Sequence, residues 1–323
     1  MGNFISGISE QWQQMWPPAP TWSVDEIPDL SGKVALVTGG NTGLGRLTVK
    51  YLAKHNCTVY VASRSLEKGE ETVAELQVET ENNSIHCLQM DLSDLQSVKR
   101  AVEEFRQREE RLDMLFNNAG IMGQPVELMT KQGLDLTFGT GFVGHAYLTM
   151  LLLPVLLSSA KTAPDGKVRV INVSSNANAW APTGGVDWST ITATPERPLK
   201  ATSYLQHCQT KWAIACFTQE LHRRYAAQGI VATALNPGNT RTDVNRFAPP
   251  VTKWALENVL DYSPDPLGVL TQLWAGTAPE TADMGGAFFW PWARVGYARE
   301  DTMDEDLGEV LWEFVEEEGK KLL

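Results

Sequence analysis

Val34-Ala-Leu-Val-Thr-Gly-Gly-Asn-Thr-Gly-Leu-Gly-Arg46 is the stretch whose reading decides the fold. Its opening, Val34 to Val37, is a short apolar run carrying β-branched residues, the pattern of a strand buried on both faces. Glycines follow at 39, 40, 43 and 45, and from Arg46 to Lys54 the residues Leu47, Tyr51 and Leu52 fall at helical spacing. Strand, glycine turn and helix together make an anion site. Residues without side chains let the backbone approach a pyrophosphate, and the helix N-terminus offers unpaired N–H groups at the positive end of its dipole. The spacing is Gly-x3-Gly-x-Gly rather than Gly-x-Gly-x-x-Gly, so the loop alone also fits an ordinary tight turn. The rest of the chain has to choose.

Working outward, strands and helices alternate. Strands are predicted at 34–38, 58–62, 84–90, 114–116, 168–173, 230–235 and 287–290. Helices are predicted at 66–79, 94–111, 134–159, 203–227 and 267–276. This alternation predicts an α/β fold, a Rossmann-type doubly wound parallel sheet of about seven strands with helices on both faces and right-handed crossovers. The expected organisation is an N-terminal extension over 1–32, one catalytic domain over 33–299, and an acidic C-terminal helix over 300–323. Insertions at 176–202 and 239–266 leave the carboxyl ends of strands, where ligands bind in such sheets. Their aromatics, Trp180, Trp188, Phe247 and Trp254, suit either an apolar substrate wall or lid packing. In the extension, Phe4, Ile8, Trp12 and Trp16 recur every fourth residue before Pro17-Pro18, the mark of a short amphipathic helix that either packs on the domain or covers the site.

The composition narrows the function. Of 323 residues, 43% are apolar, and the formal net charge is −12, which speaks against nucleic acid as a partner and against a basic membrane-surface patch. Cys57, Cys87, Cys208 and Cys216 show no metal-ligand spacing and no secreted disulfide framework, so a reducing, cytoplasmic location and no metal site are expected. No run reaches the roughly 18 apolar residues of a membrane span; Leu148–Leu157, interrupted by Pro154, reads as a buried helix. Met1-Gly-Asn-Phe-Ile-Ser6 fits the myristoylation pattern, which is short and common.

Several motifs now stand in order: Thr38-Gly39-x3-Gly43-Leu44-Gly45, Asp91-Leu92, Asn117-Asn118-Ala119-Gly120, Ser174-Ser175, Lys211 and Asn236-Pro237-Gly238. As a set, covering about residues 31–300, they resemble the short-chain dehydrogenase/reductase family. The Ile27-Pro-Asp-Leu30 and Pro291-Trp-Ala-Arg294 segments are similar to those of its retinol-dehydrogenase-like fungal branch, which implies a place in secondary metabolism. The resemblance implies a nicotinamide cofactor, a small-molecule substrate and a homodimer or tetramer through the two long helices, unless the N-terminal segment blocks that surface. It implies that Gly39, Asn41, Thr42, Gly43, Leu44 and Gly45 hold the pyrophosphate. Asp91 and Leu92 would meet the adenine, and Asn118, Ala119 and Gly120 the adenosine ribose. Lys211 would bind the nicotinamide ribose, and Pro237, Gly238, Thr240 and Thr242 the nicotinamide amide. At the end of the second strand stands Ser63-Arg64 with no acid, which suits a 2′-phosphate and therefore NADP; the alternative is an ordinary surface arginine.

Two positions depart from the family. Where it carries a catalytic tyrosine, four residues before the lysine, this chain has His207, and where it carries a catalytic asparagine there is Gly141. Ser175, His207 and Lys211 are therefore the expected catalytic set. Tyr204 lies one turn further back and would reach in only from a displaced helix start. Beside the Lys211 ammonium the imidazole of His207 should be held neutral, a poor proton donor, so a non-redox isomerase, cyclase or dehydratase, or a non-catalytic cofactor-binding protein, stays open beside the oxidoreductase. Gly139 and Gly141 in one turn predict either a bent, loosened helix or extra room beside the pocket. His55 and His145 read as packing or surface residues, and Ser174 as a hydroxyl turned away from the pocket.

Overall fold

A computed structural model of the chain describes residues 12–238 and 265–322. Its sheet has strands β1 (Val34–Thr38), β2 (Thr58–Ser63), β3 (Ile85–Gln89), β4 (Met114–Asn117), β5 (Val168–Val173), β6 (Ile230–Leu235), β7 (Phe288–Trp290) and β8 (Arg294–Gly296) in the order 3-2-1-4-5-6-7-8. All neighbours are parallel except β7 and β8. The expected sheet of about seven strands is corrected to eight. The additional strand is three residues long, pairs on one side only and exposes Val295, so it lacks the buried apolar run that announces the others.

The connecting helices are α1 (Gly43–Lys54), α2 (Leu66–Thr80), α3 (Leu95–Arg108), α4 (Gly144–Thr162), α5 (Ser203–Tyr225), α6 (Leu267–Thr277) and α7 (Glu305–Lys320). Side chains of β1 alternate between two cores: Val34 and Leu36 pack with α3, α4, α5 and α7, whereas Ala35 and Val37 pack with α1, α2 and α6. Both faces of the strand are dry, which is why it reads as an unbroken apolar run. Trp22, Val24, Ile27 and Leu30 of the N-terminal extension join the second core.

Helix α4 continues a turn at Leu136–Phe138 through a five-residue π-helical turn, Gly139–Val143. The whole run Leu136–Thr162 is long and apolar enough to cross a bilayer by length and composition, but most of its apolar face is buried inside this protein. Its start is fixed by Asp135, whose carboxylate caps the turn and pairs with Arg197 at 2.7 Å. Arg197 also donates to the carbonyls of Thr190 and Val126, tying the 176–202 insertion down.

The C-terminal helix packs on the face made by α4 and α5. Trp312 of α7 stacks on Phe217 with ring centroids 5.5 Å apart, and the Arg224 guanidinium lies 4.5 Å from the Trp312 ring. Phe314 packs on Trp188 and Phe138, so Trp188 is part of this packing.

Candidate active site

The carboxyl ends of β1, β4, β5 and β6 lie side by side and deliver Gly39, Asn118–Gly120, Ser174–Ser175 and Asn236–Gly238 to one edge of the sheet. The connection reverses direction between β1 and β4, the place where such sheets open a ligand crevice.

The glycine loop is built for close approach. Gly39 has φ +63° and Gly43 φ +53°, and a Cβ on Gly45 would lie 2.2 Å from the Gly39 carbonyl oxygen. Thr42, the N-cap of α1, makes no side-chain capping bond, so the N–H groups of that helix end are left open toward the loop. Asn41 accepts from the Thr72 hydroxyl through its carbonyl, and Leu44 accepts from Thr48, which anchors the loop's two sides. A diphosphate fits this geometry: side-chain-free backbone faces uncapped donors at a helix N-terminus.

Behind the loop, Thr38 Oγ1 accepts from the backbone N–H groups of Asn118 (2.9 Å) and Ala119 (3.0 Å), and Asn118 Nδ2 donates to the Thr38 carbonyl at 2.8 Å. His145, expected to be a packing or surface residue, belongs to this network. It is buried, and its ring lies 2.8 Å (Nε2) from Thr38 Oγ1 and 2.9 Å (Nδ1) from the Gly141 carbonyl. The Gly141 oxygen can only accept, so Nδ1 carries the proton and Nε2 accepts from the threonine. Burial, together with the Lys211 charge, lowers the His145 pKa to about 4. Gln272 donates to Thr48 and, at 3.5 Å, to Asn118 Oδ1, fixing the asparagine's orientation. No local pattern announces either residue's place in the network: Thr38 lies 107 positions from His145, and Asn118 lies 154 from Gln272.

Arg64 is exposed at the end of β2 and its guanidinium has no ion pair among the described residues. Asp91 turns one carboxylate oxygen onto Ser93, through the backbone N–H at 2.9 Å and the hydroxyl at 2.7 Å. Leu92 is buried beneath Gly144.

The catalytic candidates come from β5 and α5. Ser174 donates to the Lys211 carbonyl at 2.7 Å and so faces the helix. Ser175 is half-buried, donating to Asn176 Oδ1 at 3.1 Å and accepting from the Ala177 N–H at 3.2 Å. Lys211 Nζ donates to the Val173 carbonyl at 2.8 Å and lies beside Gly120, 3.9 Å from where a Cβ would stand. Burial lowers its pKa to about 8. His207, one turn earlier on α5, is 9% exposed; its Nδ1 is buried without a hydrogen-bond partner. Burial and then the Lys211 charge push the His207 pKa to about 3, so the imidazole is neutral. Tyr204 does not compensate. α5 runs unbroken from Ser203, and the tyrosine is 60% exposed.

The two glycines of the π turn are points of contact and not openings. A Cβ on Gly139 would meet Thr130 Cγ2 at 2.4 Å, and one on Gly141 would meet Thr210 Cγ2 at 2.8 Å. The helix is loosened there, and the room is taken. Pro237 and Gly238 lie at the end of β6, where Asn236 Oδ1 accepts from the Gly238 N–H at 3.0 Å. Thr240, Thr242, Phe247 and Trp254 lie outside the described residues.

A doubly wound sheet with an open helix N-terminus over a glycine loop, and a half-buried lysine beside Gly120, defines a dinucleotide-binding protein. Residues 33–190 match the short chain dehydrogenase family. A short-chain dehydrogenase/reductase of Armillaria gallica is 48% identical over 316 residues, covering 98% of each chain. A solved structure from Mycobacterium paratuberculosis, 28% identical, superposes with a TM-score of 0.68 over 93% of this chain and 97% of its own. The NADP complex of RhlG from Pseudomonas aeruginosa, 22% identical, gives 0.64 over 82% and 96%. The chain belongs to the short-chain dehydrogenase/reductase family, oxidoreductases that use nicotinamide cofactors.

Proposed function

We propose that the protein is a cytoplasmic NADP-dependent oxidoreductase acting on a bulky, largely apolar carbonyl or alcohol. When bound, the cofactor supplies or takes up the hydride. The glycine loop (Gly39, Asn41, Thr42, Gly43, Leu44, Gly45) with the uncapped end of α1 holds the pyrophosphate. Arg64 pairs with the 2′-phosphate, Asp91 and Leu92 border the adenine, and Asn118, Ala119 and Gly120 border its ribose. Lys211 binds the nicotinamide ribose, and Pro237, Gly238, Thr240 and Thr242 bind the nicotinamide amide. The observation that carries this reading is the open α1 N-terminus on a loop that admits no side chain, with the Lys211 amine beside Gly120.

Ser175 polarises the substrate oxygen and His207 moves the proton. A neutral imidazole accepts a proton readily but donates only through its small protonated fraction, so alcohol oxidation suits this site better than carbonyl reduction at neutral pH. That same feature favours the second reading, a non-redox isomerase, cyclase or dehydratase in which His207 shuttles a proton. A homodimer would use a face other than the one α7 covers. NADPH deuterated at its transferable position decides between the readings when candidate ketones are offered. Deuterium in the product, lost in His207→Ala, supports hydride transfer; turnover without label or NADPH consumption supports the non-redox reading.

A further inference from the structure

The N-terminal extension reaches the site. Residues 12–15 are helical, and Gln14 of that turn is 5% exposed. Its Oε1 accepts from Asn236 Nδ2 at 3.0 Å, across 222 residues of sequence. Asn236 is itself buried, at the last position before Pro237-Gly238. The orientation of both amides follows from the donors present. The Gly238 N–H can only donate, so the asparagine oxygen must face it. That leaves the asparagine NH2 toward Gln14, whose facing atom must be the oxygen.

The turn has little freedom of its own. Gly238 has φ +87°, with Pro291 3.0 Å from where its Cβ would be. The extension is anchored just after Gln14: Arg294 donates to the carbonyls of Pro18 and Ala19, and Trp22 is buried in the core. A buried carboxamide bonded to the Asn236 side chain, at the mouth of β6, does more than fill space, because an aliphatic side chain would fill the same volume without needing a partner.

We propose that Gln14 is a positioning residue for the cofactor site. It fixes the Asn236 amide, which fixes the Gly238 N–H and the course of the turn against the nicotinamide end of the crevice. The N-terminal extension is thus a part of the site, joined through one amide pair. This inference rests on the reading of the crevice as an NADP site.

The test uses the full chain and titrates NADPH by its nicotinamide fluorescence, well below the melting temperature. Gln14→Met keeps length and apolar volume but removes the acceptor. It is expected to weaken NADPH binding about tenfold, the size of one lost hydrogen bond, with the deficit falling on cofactor KM and not on kcat. Trp22→Ala, which loosens the same extension without touching the amide pair, is expected to lower the melting temperature and leave the NADPH affinity near wild type. Unchanged affinity in Gln14→Met overturns the proposal, as does an equal loss in Trp22→Ala, which would mean general loosening. Failure of the wild-type chain to bind NADPH or NADH overturns the cofactor reading itself, a result distinguishable from either of these.

Discussion

Gly141 and Thr210 meet across the α4–α5 contact so closely that a methyl group on the glycine would stand 2.8 Å from Thr210 Cγ2. The resemblance places the family's catalytic asparagine at position 141, and on that reading the glycine there and Thr210 form one packing arrangement. Gly141→Asn is therefore expected to destabilise the fold by about 1–3 kcal/mol, the usual cost of overpacking a core. It should restore no activity. Gly141→Asn combined with Thr210→Ser, which removes the obstructing methyl, is expected to recover most of that stability. Thermal unfolding of the two variants checks the pair; equal melting temperatures would show that the contact yields without cost.

Arg64 stands exposed at the end of β2 with no carboxylate partner among the described residues. A free guanidinium at this position is expected to bind a 2′-phosphate by charge-assisted hydrogen bonds. Arg64→Ala should raise the KM for NADPH about ten- to a hundredfold and leave that for NADH nearly unchanged. The wild-type preference should shrink as salt rises, since the group is exposed. Equal losses with both cofactors would make Arg64 a structural residue.

What could be read from the chain follows a physical rule. β1, β5 and β6 are buried on both faces, so apolar residues dominate them and the strands are visible even with Arg169, Asn172 and Thr233 among them. The loop after β1 is visible because a close backbone approach excludes side chains. What stayed hidden depends on partners far along the chain. His145 looks like any buried histidine until Thr38, 107 residues away, is placed on its ring, and Gln14 looks like a surface residue until Asn236 meets it. The π turn was foreshadowed only as a weak helix at two glycines. β8 had no signal because a short, half-exposed edge strand needs no apolar run. That α7 covers the α4–α5 face rests on tertiary contacts that composition does not encode; an acidic helix with one buried stripe suits many surfaces.

Trp312 gives that cover its strongest anchor. Its ring is buried, stacked on Phe217 and faced by the Arg224 guanidinium. Trp312→Ala is expected to cost about 3–5 kcal/mol of stability. Trp312→Phe should recover most of it by keeping the stacked ring. Denaturant unfolding measures both, and a loss below about 1 kcal/mol would mean that α7 is only loosely attached, because truncating a well-packed core residue costs several times as much.

His145 and His207 make the fold acid-labile. Both are buried, and burial lowers their pKa values to about 4 and about 3, below the ordinary value of about 6.5. The unfolded chain therefore takes up protons on these rings at a pH where the folded chain does not. Their contribution to stability is complete above about pH 6.5 and declines as pH falls toward the folded values. At pH 5 each ring is expected to lower stability by about 2 kcal/mol relative to pH 8. His207→Gln should flatten the fall between pH 6.5 and 5 by about that amount. An unchanged pH dependence in the variant would show that His207 titrates in the folded protein as it does in the open chain.

On the proposed mechanism, the same neutral His207 sets the pH profile of the reaction. If the proton given to a carbonyl comes from its imidazolium, the donor population at pH 7 is about four powers of ten below one, and it grows tenfold for each unit of acidification. The log of kcat/KM for carbonyl reduction is then expected to rise with slope near −1 from about pH 7.5 to the onset of acid unfolding. Lys211 offers the contrasting case: burial places its pKa at about 8, so a proton passed directly from its ammonium would give a profile nearly flat below pH 7. Alcohol oxidation should show the opposite preference, because the neutral ring is already the competent base across that range. Stopped-flow reduction with saturating NADPH at several pH values separates the two donors. A profile flat between pH 5 and 7 that survives His207→Gln would remove the histidine from the chemistry and leave the lysine as the proton source.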